Sequence, residues 1–378
     1  MKIRSRFTDQ KNGNMWYWDA GFSFPCVLNF KEKRVEIRGC DTYFDGYQVF
    51  CVDGELYFTS HANWAVMKYD AKSQAGHKYV FEGQREEKWF YSYTFQLEKR
   101  LYMVPTQITK YPIICFDTHT KQFSVDEGLK NKIKKIKIEI SEGEGKAVFP
   151  VMQDGLVWSA FCGSNCYFSY DLLTGDFREY FVREGISLYT MCRNEKMVCL
   201  TQSDTSEILI QYDNEEKSIP VREEVLEKVY SRIIRLQSFF AVLPMNGRNL
   251  ILIDTESAQV HRISVYPETE ENYGKARVLD CVEDEDRIYL LPWGAEDIYS
   301  VHKKNFEVQK EIVAYDKKQY FAKIIQRSYD RQRKELGGEK KPLLYEDGKK
   351  CSLEAFCAYV EHQRSGWDIK NEKSNTIG

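Results

Sequence analysis

Apolar residues along this chain come in short runs that alternate with polar positions and stop at turn signals, the pattern of strands joined by hairpins. The clearest unit is residues 154–177, DGLVWSAFCGSNCYFSYDLLTGDF. Asp154-Gly155 is a turn pair that readily adopts positive φ, and Leu156, Val157 and Trp158 form the apolar run after it. Gly163, Ser164 and Asn165 make a loop, and Cys166, Tyr167, Phe168 and Tyr170 then supply a second, aromatic-rich run. Asp171 opens a Leu-Leu-Thr-Gly turn, where its carboxylate can accept backbone N–H groups while Gly175 takes the left-handed position. The unit predicts strand, hairpin, strand, hairpin, strand: an antiparallel meander.

The same grammar returns from Met15, Asp53, Glu98, Asn194, Gln237 and Glu285. With Asn29, Asp70, Asp117, Asp171, Asp213, Asp254 and His302 as equivalent positions, the steps are 41, 47, 54, 42, 41 and 48 residues. A further short apolar strand precedes each later copy, at 47–52, 89–96, 147–152, 187–192, 231–236 and 277–282. For the first copy the candidates are residues 2–7 or, by circular closure, 311–315. Strands in fours at a period of about 40–50 residues are a propeller signature.

On this repeat the chain resembles a divergent β-propeller of the kelch/NHL-like kind over residues 1–315. The resemblance is one of architecture: kelch glycine pairs, WD40 dipeptides in register and sialidase Asp boxes are absent, and Trp18-Asp19 sits out of place in its unit. It implies a disc of blades round a central channel, and mostly binding roles. The expected fold is all-β, a seven-bladed β-propeller of four-stranded antiparallel blades. Six blades is the alternative, if the Met15 copy fails to close.

Two stretches break the pattern. In KIKKIKIEISEGEGK, Ile133, Ile136 and Ile138 are interleaved with Lys132, Lys134, Lys135 and Lys137. This predicts an outer edge strand whose lysines discourage sheet pairing, or else a basic patch, though Glu139, Glu142 and Glu144 offset its field. From Asp316 the period becomes helical, with Tyr320, Phe321, Ile324, Ile325 and Tyr329 on one face and basic residues around it. A second short helix follows Ser352, so residues 316–378 read as a helical C-terminal extension with a frayed end. Its basic helix would dock on the ring or, alternatively, bind a partner protein or an acidic membrane surface.

Composition narrows the setting. Lys plus Arg number 54 against 57 acidic residues, a net −3, which argues against a grip on nucleic acid. Several of the 11 cysteines, Cys51, Cys115, Cys192, Cys199 and Cys281 among them, lie in apolar strand runs and behave as small hydrophobes. With no apolar leader at the N-terminus and no run long enough to span a membrane, a cytoplasmic protein is expected.

In a propeller meander, loops joining second to third strands share one end of the disc with the loops that link blades. Here they are residues 19–25, 59–64, 105–111, 159–165, 201–206, 244–249 and 292–297. Trp18, Trp64, Tyr111 and Trp293 are the aromatic candidates for ligand binding. The polar ones are His61, Asn63, Gln107, Lys110, Asn165, Gln202, Asn246, Arg248 and Glu296. Pro105, Pro244 and Pro292 share one strand-exit position, where a missing N–H does least harm. Such loops suit a protein segment or a glycan; alternatively the tryptophans pack between blades and the polar groups are solvated.

Chemistry has little support. The six histidines are scattered, no Gly-x-Ser-x-Gly elbow or phosphate cradle is present, and Cys162 and Cys166 lack a second ligand pair. No metal or cofactor is expected. The first functional expectation is therefore a binding or scaffold protein. The alternatives are a glycan hydrolase or lyase using Asp204, Glu207, Glu296 or Asp297, and a docking module working through the C-terminal helix.

Overall fold

Every blade begins from one local rule: a strand whose odd and even residues are both apolar must be covered on both faces. In the computed structural model, residues 3–9, 13–19, 24–42, 44–60, 64–82, 92–133, 146–147, 149–202, 207–212, 215–220, 230–244, 247–266, 278–292 and 298–315 are described. They form seven antiparallel sheets of four strands, each a meander, arranged as a ring. The seven-blade reading is the one the structure shows. The predicted C-terminal helices lie outside the described residues.

Blade 6 shows how the ring is packed. Its second strand, Phe239–Pro244, and third, Asn249–Asp254, are almost continuously apolar. Phe240, Val242, Ile251 and Ile253 meet Cys199, Ile208 and Ile210 of blade 5. Ala241, Leu243, Leu250 and Leu252 face the other way, onto Ile288, Leu290 and Val301 of blade 7. The same division recurs at every seam from blade 1 to blade 7.

The inner strand of blade 1 is Ile3–Asp9, the first of the two sequence candidates. The chain end takes another path: Ala314–Tyr315 runs parallel to the outermost strand of blade 1, Arg34–Ile37, pairing with Arg34 and Val35. Side chains complete this last seam. Phe30 lies 4.9 Å from Tyr289 between ring centroids. Lys33 Nζ is 2.7 Å from Glu311 Oε2, and Ser300 Oγ donates to Glu311 Oε1 at 2.5 Å. Burial opposes ionisation of Glu311, but Lys33 and Ser300 outweigh it and hold the carboxyl below its ordinary range.

The repeat marker has a structural job. In the third-to-fourth-strand hairpins, Asp117 Oδ1 accepts the N–H groups of His119 and Thr120, both at 2.9 Å. Asp171 does the same for Leu173 and Thr174, and Asp254 for Glu256 and Ser257. In the last blade His302 Nδ1 takes the place of the carboxylate, accepting from Lys304 N. Four residues after six of the seven markers the backbone turns left-handed, at Lys33, Gln74, Lys121, Gly175, Ala258 and Phe306, with φ between 49° and 74°. Blade 4 alone among these uses glycine.

One stretch departs from the sequence reading. Lys132 and Ile133 belong to a short helix, Gly128–Ile133, not to an edge strand. Asp126 Oδ1 accepts the Gly128 N–H at 2.7 Å, and Leu129 and Ile133, one turn apart, bury into the seam between blades 3 and 4. Residues 134–145, the rest of that predicted strand or patch, lie outside the described residues. No helix among the described residues is long and apolar enough to cross a membrane.

Two outcomes follow. Lys33→Met should lower stability by about 1–3 kcal/mol at neutral pH, because a buried carboxylate loses its charged donor. Since the folded pKa of Glu311 is the lowered one, the native pair stabilises above the unfolded carboxyl pKa and ceases to as pH falls through the folded value. Urea titrations of both proteins should therefore converge in acid. At the left-handed position, Gly175→Ala should cost about 1 kcal/mol. Ala258→Gly should gain somewhat less, because it gives up a buried methyl; equal midpoints for both variants and the parent would refute the strain account.

Candidate functional site

The channel end that bears the loops is shaped by a recurring irregularity. Inner strands begin with a β-bulge, at Gly46/Gln48, Leu188/Thr190, Tyr230/Arg232 and Val278/Asp280. An extra residue there re-aims a side chain out of the normal alternation. In blades 2 and 5 that residue is Tyr47 and Tyr189, and blades 3 and 4 supply Tyr93 and Phe149 beside them. Their rings form a continuous arc, with centroid separations of 6.1, 5.5 and 6.4 Å from Tyr47 through Tyr93 and Phe149 to Tyr189. The tyrosines are only 5–7% exposed. Burial pushes the Tyr189 phenol up to about 12 and Tyr93 well above its ordinary value, so both stay neutral.

Beyond the arc, towards the first-to-second-strand turns, the inner strands of blades 2 to 6 enclose a cavity of about 560 Å³. Its polar lining includes Gln48, Gln96, Gln153, Arg193, Arg232 and Arg235. Phe50, Phe95, Met152 and Ile234 give it an apolar wall. The Gln48 amide bridges two blades, its Nε2 donating to Thr94 O at 3.0 Å and its Oε1 accepting from Thr94 N at 2.5 Å. The Arg193 guanidinium lies 4.1 Å from the Trp158 ring centroid, and its Nε donates to Asn194 O at 3.2 Å. Arg232 lies 5.9 Å from the Phe149 ring. Among the described residues, none of these three arginines forms an ion pair with a carboxylate.

The sequence-predicted residues divide differently. Trp18 is 1% exposed and packs edge-on against Phe44 and Phe58 at the seam of blades 1 and 2. Gly46 lies so close to that ring that a Cβ would fall 2.4 Å from it. Trp64 meets Phe81 and Tyr111, at 5.6 and 6.0 Å, in the seam of blades 2 and 3. Exposed Lys110 sits over Tyr111, its Nζ 5.2 Å from the ring, and the half-buried Gln107 shares their loop, its carbonyl accepting from Lys110 N and Tyr111 N. So Trp64, Lys110 and Tyr111 come together, with Gln107 beside them.

Asn165, Gln202 and Arg248 stand on three other blades. Asn165 Nδ2 donates to Val182 O at 3.2 Å, tying its loop to the end of blade 4. Gln202 is buried and its Nε2 is 3.4 Å from Glu207 Oε2, which also receives Arg183 at 3.0 Å. Arg248 is half-buried, its carbonyl accepting from Val265 N. His61, Asn63, Asn246, Trp293 and Glu296, with Asp204 and Asp297, lie outside the described residues. No group of three metal-ligating side chains occurs among the described residues.

The channel residues are not in the predicted set, although their signal is legible. Gly-Tyr-Gln, Ser-Tyr-Thr and Leu-Tyr-Thr put tyrosine at one position of three inner strands, and Arg-Ile-Ile-Arg closes a fourth.

Comparison with known proteins identifies the fold and no more. No family matches the sequence, and no curated protein does. Among solved structures, the chain is similar to YCF48 from Cyanidioschyzon merolae, with TM-score 0.57 and 9% identity over 80% of this chain and 96% of that one. It is also similar to virginiamycin B lyase from Staphylococcus aureus, at TM-score 0.56 and 11% identity over 78% and 92%. A third is the extracellular domain of the one-component system BT4673 from B. thetaiotaomicron, at TM-score 0.53 and 15% identity. There the match covers 82% of this chain but only 41% of the other. The chain is thus a divergent β-propeller without a family motif.

Seam packing predicts a sharp contrast within one cluster. Trp64→Ala should cost about 3–5 kcal/mol, as for other buried aromatic truncations, whereas Lys110→Ala should stay within about 0.5 kcal/mol. Guanidinium unfolding measures both; a near-neutral Trp64→Ala would mean the ring is free to serve a ligand.

Proposed function

We propose that this protein is a recognition module that presents the loop-bearing end of its propeller to an extended ligand, a protein segment or a glycan. The observation that carries the reading is the aromatic arc of Tyr47, Tyr93, Phe149 and Tyr189. With its tyrosines buried, it narrows that end of the channel along blades 2 to 5, which favours a ligand that lies across the loops. Strand-exit prolines at 105 and 244 stiffen two of those loops, which lowers the entropy lost on binding. Half-buried Gln107 and Arg248 and exposed Lys110 supply directed donors at the rim.

The alternative is a glycan-cleaving enzyme. Against it stands its candidate carboxylate Glu207, which Arg183 and Gln202 already hold. A cytoplasmic setting is supported by the described cysteines, all free thiols and most of them buried as packing groups.

The triple variant Gln107→Ala, Lys110→Ala, Arg248→Ala tests the reading. On peptide and glycan arrays, the parent protein should capture members of one class and the variant should lose them by about tenfold or more, with an unchanged melting temperature. Capture that survives the triple substitution would move recognition elsewhere.

A further inference from the structure

We propose that the opposite half of the channel is a binding site for a small organic oxyanion, a carboxylate or phosphate carried on an apolar body. The site lies beyond the loop-bearing end; Phe149, which packs near Arg232, is the one residue used here that also belongs to the aromatic arc.

Charge comes first. Arg193, Arg232 and Arg235, on the neighbouring inner strands of blades 5 and 6, line one cavity, with Asp154 as the lone lining carboxylate among the described residues. The chain as a whole carries a net −3, so this is a local positive site within a mildly acidic protein. Low-dielectric walls concentrate such a field along the channel and raise the local concentration of anions.

Hydrogen bonding points the same way. Arg232 Nε and Gln153 Nε2 are buried without an acceptor among the described residues, and both line this cavity. Each is a donor, and buried donors call for a partner. One ligand carrying several acceptor oxygens would satisfy both. The guanidiniums are already oriented: Arg193 by its stack on Trp158 and its bond to Asn194 O, Arg232 by the Phe149 ring. A planar fork held in place by an aromatic face is suited to oxyanions and loses little freedom on binding.

Size and lining define the rest of the ligand. A volume of about 560 Å³ falls within the range of small-molecule sites. Phe50, Phe95, Met152 and Ile234 would receive an apolar body. The lining reaches Asp154, Gly155 and exposed Arg235 on the side of the first-to-second-strand turns, and the ligand enters there. Arg235 is then the outer contact and Arg232 the inner one.

The test uses the full chain with benzoate and phenyl phosphate as probes, and benzyl alcohol and sodium chloride as controls, in calorimetry and thermal melts. Both anions should bind and raise the melting temperature while benzyl alcohol does not, and whichever binds tighter identifies the headgroup. Arg232→Gln should weaken binding by about 10–100-fold, the loss expected for a charged hydrogen bond. Arg232→Lys should keep part of it, because the charge remains without the fork. Should Arg232→Gln fail to fold, Arg235→Gln, on an exposed side chain, carries the same comparison with a smaller loss. Equal stabilisation by benzyl alcohol, saturation by chloride alone at the same concentrations, or probe binding unchanged in the folded arginine variant would each overturn the proposal.

Discussion

The constraint on which the rest depends is that each blade has two apolar faces. Along Asn249–Asp254, Leu250 and Leu252 look to one neighbour while Ile251 and Ile253 look to the other, and all four are fully buried. At about 1.5–3 kcal/mol for each such side chain taken from water, no isolated sheet of this kind could leave either face bare. The solution is a ring in which every blade is covered twice. The channel, the loop cluster at one end and the arginine-lined cavity at the other are by-products of that closure.

Turn chemistry then fixes the register within each blade. The Asx-type hairpin recurs with the same acceptor geometry at Asp117, Asp171 and Asp254, and survives replacement of the carboxylate by His302. The left-handed residue four places on is tolerated as Lys, Gln, Ala or Phe, which shows that the hairpin is held by more than local preference. Phe306, for instance, packs against His261 of the preceding blade at 4.3 Å between ring centroids, so seam packing offsets its backbone cost.

The ring was legible in the sequence because its markers are local: the Asp or Asn of each hairpin, its spacing, and the apolar runs. What the side chains do was harder to read. Trp18 and Trp64 border predicted loops, yet both turn into blade seams, because alternation along a strand says only that neighbouring residues face opposite ways. Tyr47 and Tyr189 reach the arc through bulges, and the tyrosine that recurs in these strands does not by itself say that a bulge turns it there. Arg232 and Arg235 sit in a strand that the apolar pattern predicts, but a strand pattern does not say which of its faces borders a channel. Lys132 and Ile133 fit the end of a short helix as well as an alternating strand, and Leu129 and Ile133 bury together there.

The clasp between the first and last blades has a consequence for synthesis. Lys33 and Phe30 wait for Glu311 and Tyr289, partners made more than two hundred and fifty residues later. While the chain emerges from the ribosome, the growing stack therefore has an uncovered flank at each end, and the one on blade 1 persists until nearly the whole domain has been translated. Hydrophobic surface displayed for that long is what chaperones bind and what nascent chains on neighbouring ribosomes can wrongly share.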